Sequence, residues 1–183
     1  MAADSDRVVD IGNGAVPPAH GSFETWYRAT HPRLLASLTL MSGDIEAARD
    51  ATAEAFIRAL ERWPRVCRLD APAAWVHRVG VNVLRSWHRR RVVEERLLGR
   101  YRPEPAPPSQ LSLEVWDALV ALPARQREAI ALRYLLDLTQ ADVAAAMGVA
   151  PGTAAATLHA ARRNLADRLG LDDTDDVEVA SRD

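Results

Sequence analysis

Three groups of side chains in this 183-residue chain have the types and spacing to do chemistry, and in each the chemistry is recognition. The first lies in residues 75–91, Trp-Val-His-Arg-Val-Gly-Val-Asn-Val-Leu-Arg-Ser-Trp-His-Arg-Arg-Arg. At 3.6 residues per turn Arg78, Asn82, Arg85 and Arg89 fall on one helix face, with Ser86 and Arg90 beside them and apolar positions opposite. An asparagine can pair bidentately with a base edge, and guanidinium groups hold phosphates or stack on unpaired bases. Trp87 and His88 add flat surfaces nearby. So few acids interrupt the cluster that nucleic-acid binding is a better reading than a solvated basic face, whereas Trp75 belongs to a core.

The second group is a helix-turn-helix over residues 138–169. Thr139 can cap a helix, with Asp142 three residues on. Ala144 precedes Gly148 by four, where the turn between crossing helices needs a small residue and then a left-handed one. Ala150, Pro151, Gly152 and Thr153 start a second helix, and Leu158, Ala161, Leu165 and Leu169 form its apolar stripe. The face expected to meet a major groove reads Ala154, Ala155, Ala156 and Thr157, then His159 and Ala160, which offer few hydrogen bonds to base edges. Thr153, Thr157, His159, Arg162 and Arg163 are the polar candidates left for DNA contact.

Asp50 and Glu54 are the third group, one turn apart on a polar helix face with Arg58 following. Exposed carboxylates in that setting serve solvation or a partner contact more often than acid–base catalysis. The five histidines are scattered without ligand spacing, and no glycine-rich phosphate loop or activated nucleophile is present. Cys67 is the single cysteine, so no internal disulfide or cysteine zinc site is expected, and it reads as a small buried hydrophobe. No metal, no cofactor and no enzymatic activity are therefore expected.

An all-α chain must hold these groups. No membrane insertion is expected, because no uncharged run reaches the roughly 20 residues that a span needs. The N-terminus lacks the basic start and apolar segment of a signal peptide, and a reducing, cytoplasmic setting is expected. All 23 basic residues are arginine, and the net charge of −2 hides an asymmetry. Residues 22–102 carry +6, residues 113–170 are neutral, and the tail from 171 carries −5. The first half is thus the stronger electrostatic footprint for nucleic acid.

Two small helical domains are expected. Residues 1–21 read as disordered. Ser22 caps a helix with Phe23, Trp26, Tyr27, Thr30, Leu34 and Leu38 at helical spacing. Asp44 caps a second helix to Trp63, stopped by Pro64, with Ile45, Ala48, Thr52, Phe56, Ala59 and Trp63 inward. Pro72 starts a third, which buries Trp75, Val76, Val79, Val83 and Leu84 and continues into the basic stretch. Four prolines make residues 102–111 an extended linker. Ser112 caps a helix to Leu122, Pro123 starts another through Tyr134, and the helix-turn-helix completes a second domain over 112–170. The acidic tail, 171–183, reads as disordered.

In this order the residues resemble a known family. An Asp-Ala-Thr-Ala-Glu-Ala-Phe-Ile-Arg-Ala-Leu helix (50–60) precedes Ala74-Trp75-Val76, Asn82 and the arginine cluster. A proline-rich linker follows, then Leu122-Pro123-Ala124-Arg125-Gln126-Arg127-Glu128 and the helix-turn-helix. The pattern is similar to bacterial extracytoplasmic-function (ECF) sigma factors, the minimal type with sigma regions 2 and 4 only. The resemblance implies region 2 over 22–101 and region 4 over 112–170. It implies that Asp50, Glu54 and Arg58 dock on the β′ clamp helices of core RNA polymerase. Arg78, Asn82, Arg85, Ser86, Arg89 and Arg90 would meet the promoter −10 element, with the loop from Arg68 to Pro72 capturing unpaired bases. The C-terminal domain would contact the β flap and the −35 element, and an anti-sigma factor is a possible partner.

The chain departs from the family in three places. Ala53 stands where Gln is frequent and Ser86 where Asp is frequent. Recognition helices of the family usually read Gly-Thr-Val-Lys-Ser-Arg-Leu-His-Arg-Ala-Arg; residues 152–162 read Gly-Thr-Ala-Ala-Ala-Thr-Leu-His-Ala-Ala-Arg. Ala155, Thr157 and Ala160 replace cations, the first two expected to face solvent, so −35 readout should be weak or atypical. The alternative reading is a sigma-like or helix-turn-helix regulator whose C-terminal domain binds protein, an anti-sigma factor or an activator, instead of specific DNA.

Overall fold

The computed structural model describes residues 21–98 and 112–171, with side chains up to residue 87 in the first stretch. The segments expected to be irregular, 1–20, 102–111 and 172–183, lie outside the described residues, as do the side chains of Arg89 and Arg90. The described residues are helical, without a strand.

The first half holds α1 (Phe23–Ser42), α2 (Ile45–Glu61), the single turn α3 (Trp63–Val66) and the long α4 (Pro72–Leu98). Ser22 caps α1, its Oγ accepting from the Thr25 N–H at 3.2 Å, and Gly43 ends it at φ 68°. Asp44 caps α2, one carboxylate oxygen accepting from Glu46 and Ala47 at 3.0 Å each. Helix α2 stops two residues before the expected Trp63. Pro64 opens the turn that follows, where a missing N–H leaves no bond unmade. Helices α1, α2 and α4 enclose Trp26, Leu34, Leu38, Ala51, Ala55, Phe56, Val76 and Val83. The alanines of α2 keep the helices close. Gly80 of α4 goes further, since a Cβ there would stand 2.6 Å from Leu38 Cδ1.

In the second half α5 (Leu113–Val120), α6 (Ala124–Ile130), a π-helical segment (Ala131–Leu135), α7 (Gln140–Met147) and α8 (Pro151–Leu169) follow. The helix expected from Pro123 through Tyr134 is therefore two pieces. The wider turn carries a bond from the Leu136 N–H to Ala131 O at 3.1 Å, and it brings Leu132, Leu136 and Leu138 all into the core. The run 122–128 is largely structural. Leu122 is buried, Arg127 Nη1 donates to Val120 O at 2.7 Å, and Gln126 Oε1 accepts from Asn164 Nδ2 of α8 at 2.7 Å. The helix-turn-helix forms as read: Thr139 Oγ1 accepts from the Asp142 N–H at 3.2 Å, and Gly148 turns the chain at φ 67°.

The halves do not stand apart. Leu132, Leu136, Leu138, Val143, Ala154 and Leu158 join the core of the first half, and Leu40 of α1 joins Trp116, Leu119, Ile130 and Ala161 of the second. Helix α1 was expected to bury one stripe, yet Ser37, Leu38, Thr39 and Leu40 are all buried, so its last turns are enclosed on every side. Thr39 tolerates this because its hydroxyl donates to Leu35 O at 2.8 Å.

Gly80→Ala should lower the free energy of unfolding by about 1–2 kcal/mol, read as a lower urea midpoint at unchanged slope. Overpacking against fully buried Leu38 exceeds the roughly 0.5–1 kcal/mol that alanine gains in a helix. An unchanged or raised midpoint would show that Leu38 has room to move.

Candidate nucleic-acid and polymerase faces

On α4, Arg78, Asn82 and Arg85 are exposed and share one face, while Ser86 is half-buried. That face is not a flat surface. It forms one wall of a cavity of about 340 Å³, whose other wall is Arg125 and Glu128 of α6 and residues 145–148 at the end of α7. Arg78 Nη2 reaches across to Ala145 O at a long 3.5 Å. His77, 2% exposed, also lines the cavity, and its Nε2 has no hydrogen-bond partner.

The electrostatics follow from this enclosure. Burial, helped by the Arg85 charge, lowers the His77 pKa to about 4, so the imidazole is neutral in the folded protein. Burial raises the Glu128 pKa, and Arg85 and Arg125 pull it the other way. Arg127, partly desolvated between α5 and α6, is lowered by burial. Sequence reasoning missed His77, Arg125 and Glu128 as a group because they meet only when α6 docks against α4. The one signal was a histidine on the apolar side of an amphipathic helix.

On α2, Asp50 and Arg58 are exposed and Glu54 is half-buried. Arg58 is not a free cation: it pairs with Glu54 at 2.7 Å across one turn. The same face exposes Ile57 (54%) and Leu60 (56%), which the charge-based reading passed over. Both fall off the inward stripe at helical spacing, and that was the available signal. The face is therefore an apolar patch flanked by Asp50 and the Glu54–Arg58 pair.

Helix α8 exposes Thr153, Ala156, His159, Arg162 and Arg163. The expected outward face needs correction. Ala154 is fully buried, Ala155, Thr157 and Ala160 are half-buried, and Thr157 Oγ1 donates to its own helix at Thr153 O, 2.7 Å. Beyond Pro151 and Gly152, the first turns therefore expose Thr153, Ala156 and His159, and the cations stand further along.

Acid should destabilise the protein through His77. Its folded pKa lies below the ordinary 6.5, so the unfolded chain binds the proton more readily; stability is unaffected above about pH 6.5 and falls as the pH drops toward 4. The loss approaches about 3 kcal/mol. Glu128, raised in the folded state, opposes it. Urea midpoints of wild type and His77→Gln between pH 7.5 and 4.5 isolate the histidine: wild type should lose stability more steeply, and parallel curves would refute the assignment.

Comparison with known proteins agrees with this layout. Residues 26–93 match the family Sigma-70 region 2, and residues 112–165 match Sigma-70, region 4. The RNA polymerase sigma-E factor of Streptomyces avermitilis is 28% identical over 165 residues, covering 86% of this chain and 92% of that protein. The ECF RNA polymerase sigma factor EcfG of Rhodopseudomonas palustris is 31% identical over 154 residues, covering 81% and 85%. Among solved structures, the sigma factor RpoE in complex with the anti-sigma factor NepR, from Bartonella quintana, has a TM-score of 0.69 at 26% identity over 82% of this chain and 98% of that one. CnrH, solved with the cytosolic domain of CnrY, shares the fold at TM-score 0.55 and 21% identity, over 81% and 87% of the two chains. No described helix is long and apolar enough to cross a membrane. With region 2 and region 4 matched in order and an ECF factor aligned along most of its length, the chain belongs to the ECF sigma factors, which bind RNA polymerase and direct transcription from promoters.

Proposed function

We propose that this sigma factor takes most of its promoter information through α4 and little through α8, and that it docks on core polymerase through α2. The observation that carries the reading is the contrast between the two DNA faces. Helix α4 exposes Arg78, Asn82 and Arg85 within one stripe, chemistry suited to phosphates and unpaired bases at the −10 element, while the start of α8 exposes no charged side chain, only Pro151, Gly152, Thr153, Ala156 and His159. Arg162 and Arg163 can position a backbone at the −35 element without reading its sequence. Arg89 and Arg90 extend the α4 face by sequence.

On α2, Ile57 and Leu60 supply the apolar centre and Asp50, Glu54 and Arg58 the charged rim of a surface for the β′ clamp helices; region 4 meets the β flap. Because α6 and α7 stand against part of the α4 face, full contact of that face with DNA requires the halves to separate. The described arrangement is then a form awaiting polymerase, acting in the cytoplasm and without catalysis of its own. An anti-sigma partner is supported by the likeness to RpoE, whose complex with NepR is solved.

Run-off transcription with reconstituted holoenzyme tests the reading. Scrambling the −35 element should reduce transcript only a few-fold, whereas scrambling the −10 element should abolish it; strong dependence on −35 sequence would overturn the reading. Asn82→Ala and Arg85→Ala should each reduce promoter opening roughly tenfold, the scale of one lost base or phosphate contact, as read by permanganate footprinting. Normal opening by both would remove α4 from promoter melting. Glu54→Arg breaks the pair with Arg58 and reverses charge, so it should weaken capture of core polymerase in a pull-down. Ala156→Arg places a cation on the open face of α8 and should steepen the salt dependence of promoter binding by about one unit.

A further inference from the structure

We propose that the cavity between α4 and α6–α7 is a binding site for a small phosphate-bearing anion, of the size of pyrophosphate or a nucleoside diphosphate, which holds the two halves closed. Three arginines line one cleft: Arg78 and Arg85 from the first half and Arg125 from the second. Against them stands a single carboxylate, Glu128, whose charged form burial disfavours. The local balance is strongly positive in a protein whose net charge is −2.

The cations also have capacity to spare. Arg78 makes only its long contact to Ala145 O, and among the described residues Arg85 and Arg125 make no hydrogen bond or close ion pair. Planar guanidinium forks match phosphate oxygens two at a time. His77 lines the same space as a buried neutral ring, its Nε2 shut away beneath the surface without a hydrogen-bond partner. Asn82 supplies a further donor, and Val81 and Met147 form an apolar wall against which a base can rest. About 340 Å³ is at the small end of ligand sites, which run from roughly 300 to 1,000 Å³, and it admits no duplex.

The site is complete only when the halves are docked, because Arg125 comes from one and Arg78 and Arg85 from the other. A ligand bound there stabilises the closed form by mass action and occupies the arginines assigned above to the promoter. Binding is independent of that promoter assignment; only its effect on transcription rests on it.

Calorimetric titration of the full chain with pyrophosphate and with adenosine diphosphate, at matched ionic strength, tests the site. Saturable binding of at least one, with a rise of a few degrees in Tm that sodium chloride does not reproduce, is expected. Tighter binding of the nucleotide would assign the apolar wall to the base; tighter binding of pyrophosphate would assign the site to the phosphates alone. Arg125→Gln should weaken binding at least tenfold, and Glu128→Gln should tighten it several-fold. Ala145→Phe, an exposed position on the cavity wall, should block binding while leaving every charge in place. A thermal shift that follows ionic strength alone, or full affinity in both Arg125→Gln and Ala145→Phe, would overturn the proposal. If the ligand binds through Arg125 yet leaves promoter opening unaffected, the site stands and the promoter assignment of α4 is what fails.

Discussion

The enclosure of α1 by both halves of the chain is the constraint on which the rest of the structure depends. A helix buried on one stripe belongs to one core, but Leu38 and Leu40 of α1 face two cores. Leu132, Leu136 and Leu138 close over the first, and Trp116, Leu119 and Ile130 gather around Leu40 in the second. Burial of this many large side chains is the main favourable term holding the halves together, since each contributes on the order of 1.5–3 kcal/mol relative to exposure. The π-helical turn is part of the same arrangement, because Leu132 within it and Leu136 and Leu138 just after it all enter the first core.

Once that seam is closed, polar chemistry is forced into the space beside it. Helix α7 comes to lie across α4, so arginines on a surface-type face become the wall of a cleft. Its local dielectric is lower than that of water, so His77 is held neutral and Glu128 resists ionisation. Arg78 and Arg85 of α4 therefore meet Arg125 of α6 across one cleft when the halves are docked.

The faces that remain outward are chemically distinct. Helix α2 offers apolar centres within a charged rim, suited to another protein, whereas α8 offers small residues and late cations, suited to loose apposition on a duplex. The conspicuous run 122–128 contributes mainly architecture: Arg127 ties α6 to the end of α5, and Gln126 ties it to α8. Its two remaining charges, Arg125 and Glu128, are the ones that face the cleft.

Local chemistry made much of this legible from the amino-acid order. Ser22, Asp44, Ser112 and Thr139 cap helices because their side chains reach N–H groups two or three residues away. Gly43 and Gly148 turn the chain because each adopts a positive φ, the conformation that glycine enters without steric cost. The stripe of Arg78, Asn82 and Arg85 on α4 was also legible, since helical periodicity assigns side chains to faces, whereas on α8 the same reading puts the buried Ala154 on the outward face. Periodicity is silent on what lies against a face. Only the tertiary structure decided that α1 is shared, that Pro64 restarts a helix, that Thr157 bonds back to its own helix, and that Arg125 meets Arg85 and Arg78 across a cleft. Those outcomes depend on contacts between segments far apart in sequence, and hydrophobic burial between distant helices is non-directional, so no local pattern encodes which faces will meet.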